Sequence, residues 1–178
     1  MQIEEHTEPN ENPKRSIFDQ LVPGLEIRKP ELQKSADVLC QHCTGTGCGI
    51  YNIRPSVCRT WFCLWRRIEQ LPDYLRPDRC GVVFSLDQHD PPRILFERLC
   101  IVARAVDRAE AFDVGPVRAA LDMFVEEGSL PVWLSFKGAK RMIYPSPEFA
   151  EAILRPDQTT GDELLARAVS WRKRYGLD

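Results

Sequence analysis

Cys40-Gln41-His42-Cys43-Thr44-Gly45-Thr46-Gly47-Cys48-Gly49-Ile50-Tyr51-Asn52-Ile53-Arg54-Pro55-Ser56-Val57-Cys58-Arg59-Thr60-Trp61-Phe62-Cys63 holds five of the seven cysteines in the chain. Their spacing is Cys40-x2-Cys43-x4-Cys48-x9-Cys58-x4-Cys63. Thiolates at such short separations can surround one soft or borderline metal ion, because each intervening loop is just long enough to turn the chain back on it. Cys40, Cys43, Cys48, Cys58 and Cys63 are therefore candidate metal ligands. A closed zinc site needs four ligands, and so does a cubane iron–sulfur cluster. Gly45, Gly47 and Gly49 allow backbone amides to approach thiolate sulfurs.

Downstream of the glycines, Arg54-Pro55 interrupts local structure, and Pro55 is suited to open a helix. Trp61, Phe62, Trp65, Ile68 and Leu71 recur at three- and four-residue steps, which predicts a helix within 56–71 with a buried aromatic face. Cys58 and Cys63 are five residues apart, so a regular helix would turn them away from each other. If both bind one metal, the backbone near 59–62 departs from helix or the helix starts later.

The chain has 178 residues with 43% hydrophobic and 28% charged, an ordinary mix for one globular domain. A core of that size needs no disulfide staples. A net charge of −2 supplies no general field for nucleic acid or an anionic membrane, which argues against both as partners. No apolar run is long enough for a membrane span, and the acidic residues 1–13 lack an apolar signal core. Cytoplasmic location is expected, where clustered thiols stay reduced and read as metal-binding or redox-active.

Residues 1–13 read as a disordered acidic tail and 14–178 as a single α+β domain. A short amphipathic segment with Ile17, Phe18, Leu21 and Val22 precedes the cysteine-rich subregion 40–63. The second half predicts strands among 81–86, 93–99 and 101–106, and a helix over 115–127. It also predicts a hairpin of 132–136 with 139–144 around Lys137-Gly138, and helices over 149–154 and 160–175. The fold class is thus α+β, a cysteine-rich metal-binding loop region packed with a small antiparallel sheet and several helices. Cys80 and Cys100 lie in apolar stretches and read as core thiols.

The run from Cys48 to Cys63 resembles the G-C-x-I-Y-x-x-R-P-x-x-C-R-x-F/W-x-C signature of bacterial cysteine-cluster proteins of YkgJ type. The carrying residues are Cys48, Ile50-Tyr51, Arg54-Pro55, Cys58-Arg59, Trp61 and Cys63. The similarity extends through Leu71-Pro72-Asp73 and Leu75-Arg76-Pro77-Asp78. It implies a zinc- or iron-chelating domain and brings no general activity with it. Many members open with a C-x-x-C-x-x-C-C run that this chain lacks, which leaves one compact site and favours zinc.

Several neighbours support such a site. His42 is an alternative ligand beside Cys43. Arg54 and Arg59 can offset thiolate charge, and Tyr51, Trp61 and Trp65 can exclude water. His6 and His89 have no visible partner in sequence. Arg167, Arg172, Lys173 and Arg174 complement the dipole at a helix C-terminus. Glu126-Glu127 and Asp162-Glu163 read as solvated helix ends. Two functions are thus expected in competition. One is a protein holding a zinc (or iron) ion through Cys48, Cys58, Cys63 and one of Cys40 or Cys43; the other is an iron–sulfur or redox-active oxidoreductase component using the same thiols. A zinc-stabilised interaction module is a third.

Overall fold

The computed structural model describes residues 27–35, 40–44 and 48–177. The acidic tail and the amphipathic segment expected before residue 23 lie outside these residues. The chain divides into two compact units, Met1–Trp61 and Phe62–Asp178. The boundary falls inside the cysteine window, with Cys63 on its far side.

In the first unit, β1 (Ile27–Lys29) pairs antiparallel with β2 (Leu32–Lys34) across Pro30-Glu31. Leu32 and Lys34 alternate inward while Gln33 is exposed, the two-residue period of a strand. A short helix, α1 (Ser56–Thr60), follows Pro55. The Ser56 hydroxyl donates to the Glu31 carboxylate at 3.1 Å and so ties this helix to the β1–β2 turn.

The helix expected over 56–71 is interrupted. Trp61 is extended at φ −83°, ψ 130°, and Cys63 is extended at φ −69°, ψ 163°. A second helix, α2 (Leu64–Arg67), then starts, with the Cys63 carbonyl accepting from the Arg66 and Arg67 amides. The break falls at 61–63, between Cys58 in α1 and Cys63 at the start of α2.

The second unit continues through α3 (Pro77–Cys80) into β3 (Val82–Gln88) and β4 (Leu99–Ala105). A long connection carrying α4 (Gly115–Glu127) leads to the hairpin β5 (Val132–Phe136) and β6 (Ala139–Tyr144). The helices α5 (Pro147–Leu154) and α6 (Asp162–Arg174) finish the chain. The sheet order is β3-β4-β5-β6.

The fold is α+β as expected, but this sheet is mixed rather than antiparallel. β4 and β5 run parallel, because α4 carries the chain back to the starting edge before β5 begins. Within the stretch 93–99, only Leu99 is in a strand, as the first residue of β4. A single 3-10 turn, Leu95–Glu97, buries Phe96, whose carbonyl accepts the Trp133 indole N–H at 3.1 Å. The Phe96 ring also meets Trp171 at 6.0 Å between centroids. That inward anchor outweighs the strand propensity of Ile94 and Leu95.

The hairpin turn carries φ of 47° at Lys137 and 76° at Gly138, the paired left-handed residues of a two-residue turn. Gly161 caps α6, and no side chain bonds there. Its basic end is structural: Arg172 donates to the Ile153 carbonyl at 2.7 Å and to the Leu177 carbonyl.

Strand alternation divides β3 into two chemical faces. Val82 and Phe84 face the α4 side, where Phe84 meets Phe124 at 5.8 Å. Val83, Ser85 and Asp87 face the other way, beside Arg104 of β4. Arg104 donates to both the Ser85 hydroxyl and the Asp87 carboxylate, and Ser85 donates to Asp87 at 2.7 Å. The Arg104 and Asp87 side chains are 8% and 13% exposed. Burial alone would raise the Asp87 pKa, but the Arg104 charge and these hydrogen bonds reverse it and hold the carboxyl below its ordinary value.

Two outcomes test this packing. Arg104→Met strands the Asp87 charge and is expected to cost about 3 kcal/mol in urea unfolding. Because folding depresses the Asp87 pKa, its contribution is present above the unfolded value of about 3.9 and is lost as pH falls through the folded one. The acid limb of the stability curve therefore flattens in Arg104→Met. Gly128 caps α4 at φ 64°, and an added Cβ would lie 3.0 Å from the Tyr144 hydroxyl oxygen. Gly128→Ala should lower stability by about 1–2 kcal/mol in the same assay; no change would mean that the left-handed cap carries no constraint.

Candidate metal centre

The cysteine stretch folds back on itself within the first unit. The Cys43 amide donates to the Cys40 carbonyl at 2.9 Å, closing a turn across the Cys40-x2-Cys43 segment. The chain then returns so that Cys43 and Cys48 form an isolated antiparallel bridge. The Gly49 amide donates to the His42 carbonyl at 2.8 Å beside that bridge. Next, the Tyr51 amide donates to the Cys48 carbonyl at 3.1 Å, starting a 3-10 turn at Tyr51–Ile53. The extended backbone at Arg54 and Pro55 then places Cys58 in α1, its amide bonded to the Pro55 carbonyl at 3.0 Å.

Cys40, Cys43, Cys48 and Cys58 are all partly exposed, and none of the seven cysteines is in a disulfide. Of the five expected ligands, the fold sets Cys43 opposite Cys48 in one isolated bridge and joins Cys40 to them by one turn. Among the described residues, no group of three or more cysteine, histidine or acidic side chains is gathered closely enough to hold a metal ion.

Cys63 belongs to the second unit and differs from the rest. It is fully buried, and burial pushes its thiol up to about 11 despite the nearby Arg66 and Trp65 amides. Cys100 is likewise buried in β4, and burial, helped by the Asp87 charge, pushes it up to about 12. Cys80 is half-buried, its thiol raised mainly by burial and donating to the Val82 carbonyl at 3.2 Å. Cys100 is thus the core thiol expected, whereas Cys80 ends α3 and is only half-buried.

The supporting residues sort by unit. The Arg54 guanidinium stacks 3.9 Å above the Tyr51 ring, so its charge lies on an aromatic face beside the Cys48 turn. The Tyr51 hydroxyl is buried and has no hydrogen-bond partner among the described residues. His42 has its Nε2 3.3 Å from Gln41 Nε2, next to Cys43. Arg59 is exposed, and Trp61 is half-buried. Trp65 is buried in the second unit, where it contributes to that unit's core.

Sequence reasoning grouped Cys48, Cys58 and Cys63, with Cys40 and Cys43 competing for a fourth place, and missed the bridge that sets Cys43 opposite Cys48. The four-residue spacer between Cys43 and Cys48, rich in glycine and threonine, is the signal that could have shown it. Comparison with protein-family models, with curated proteins and with solved structures finds no match to this chain. No helix among the described residues is long and apolar enough to cross a membrane.

Thiol accessibility gives a direct check. Iodoacetamide at pH 8 is expected to modify Cys40, Cys43, Cys48 and Cys58 in the folded, metal-free chain at least about tenfold faster than Cys63 and Cys100, read by quenched mass spectrometry. Equal rates at Cys63 and Cys43 would contradict the burial that separates them.

Proposed function

We propose that this is a cytoplasmic metal-binding protein whose first unit holds one zinc ion through Cys40, Cys43, Cys48 and Cys58. The observation that carries the reading is the Cys43–Cys48 pairing with a Cys40-x2-Cys43 turn at its edge, three thiols on one small hairpin. The resemblance of 48–63 to the YkgJ-type signature supports it from the sequence side. Four thiolates satisfy a closed tetrahedral zinc site, and a site without an open position is structural.

Metal binding would draw the Cys40 and Cys58 thiols onto the existing pair. Arg54, close to the Cys48 turn, would offset part of the charge of four thiolates. Cys63 is left outside the ligand set because it is enclosed in the second unit at the start of α2. The zinc would tie the cysteine hairpin to α1, and so its binding energy would appear as stability of the first unit.

The test is zinc content of protein purified without air, with single serine variants. One zinc per chain is expected in the parent. Cys40→Ser, Cys43→Ser, Cys48→Ser and Cys58→Ser should each weaken zinc by more than the roughly 10–100-fold that loss of an outer-shell partner costs. Cys63→Ser should keep full stoichiometry. Chelation should lower the thermal midpoint of the parent. Brown protein containing iron and sulfide, or zinc retained by all four variants, would sink the reading.

A further inference from the structure

We propose that Cys43 and Cys48 form a reversible cross-strand disulfide, which makes this hairpin a thiol–disulfide site that responds to peroxide. The inference rests on the backbone of the hairpin and stands apart from the metal reading.

The register decides it. Opposed residues of an antiparallel pair come in two kinds, those that exchange both backbone hydrogen bonds and those that exchange none. The bond beside Cys43 and Cys48 runs from the Gly49 amide to the His42 carbonyl, between the residue after one cysteine and the residue before the other. Cys43 and Cys48 are therefore a non-hydrogen-bonded pair. In such pairs the Cα atoms lie about 4.5 Å apart and the side chains approach most closely. Disulfides span Cα separations of about 4.4–6.8 Å, so the thiols can join without remodelling the strands.

Cys40 is the competing partner. It stands three residues before Cys43 across a hydrogen-bonded turn, whose Cα separation of under about 7 Å overlaps disulfide reach, so only the opposed register favours Cys48 over it. Its backbone precedes the bridge and does not face Cys48 from an opposed position. Accessibility sets the two enclosed cysteines aside. Cys43 and Cys48 are partly exposed, whereas Cys63 and Cys100 are enclosed and hold their protons.

The chemistry balances with a hydroperoxide as oxidant. One thiolate attacks a peroxide oxygen; the O–O bond breaks, a sulfenic acid forms, and the departing hydroxide takes a proton to become water. The second thiol then attacks the sulfenic sulfur; the S–S bond forms, the S–O bond breaks, and a second water leaves. Two thiols lose two electrons and two protons, and one hydrogen peroxide becomes two waters. A small dithiol reverses the step by exchange. Where the four thiols hold zinc, the same oxidation withdraws two of the ligands.

The experiment uses the full chain, reduced and treated with chelator, exposed to one equivalent of hydrogen peroxide. Remaining thiols are alkylated and the protein is mapped by fragmentation mass spectrometry. Trypsin does not cut between Arg54 and Pro55, so residues 35–59 carry Cys40, Cys43, Cys48 and Cys58 in one peptide. The expected result is a Cys43–Cys48 link with loss of two alkylatable thiols, restored by dithiothreitol. Cys40→Ser should keep the link, while Cys43→Ser and Cys48→Ser should each abolish it. A predominant link to Cys40 or Cys58, or oxidation to sulfinic acid without a link, would overturn the proposal. Zinc content does not enter this readout, so a missing link counts against the pair and not against the metal centre.

Discussion

A backbone hydrogen bond from the Gly49 amide to the His42 carbonyl marks the register of the cysteine hairpin. The chemical character of the first unit depends on it. With that register, Cys43 and Cys48 are opposed and their side chains leave the same face. A slip of one residue would send one thiol to the other face and leave no pair at all. The turn from Cys40 to Cys43 and the 3-10 turn after Cys48 then bracket the pair with more backbone bonds. Two thiols so placed can share a metal or share a bond, and the two uses exclude each other.

The second unit solves a different problem. Its four-stranded sheet buries an apolar face under α4 and keeps a charged network on the opposite face. Ser85, Asp87 and Arg104 satisfy one another there, so the buried charge is paired rather than stranded. Such a network contributes little net stability compared with apolar packing, but losing one member leaves the others uncompensated. Cys63 and Cys100 belong to this interior, where their thiols are held protonated by burial.

Much of the second unit was legible in the sequence. The helix over 115–127 was readable because Val117 and Leu121 repeat at helical spacing and Gly128 ends it. The hairpin at 132–144 was readable because Lys137-Gly138 suits a left-handed turn between two strand-like runs. The parallel pairing of β4 with β5 was not, since no local pattern states which strand a long connection will reach. Nor was the strand-like run 93–99, where Phe96 turns inward to Trp171 and Trp133. At the candidate site, the residue types could be read, while the break after Thr60 was called for only if Cys58 and Cys63 shared a metal, and the pairing of two particular cysteines could not be read at all. Spacing shows that thiols are near one another along the chain; only backbone register shows which of them face each other.

The central claim is that four thiols of the first unit surround one zinc ion. X-ray absorption at the zinc edge tests it most directly, on full-length Cys63→Ser protein purified without air. We predict a single shell of four sulfur atoms at about 2.3 Å, with no nitrogen or oxygen neighbour. A first shell containing nitrogen or oxygen, or fewer than four sulfurs, would contradict the claim.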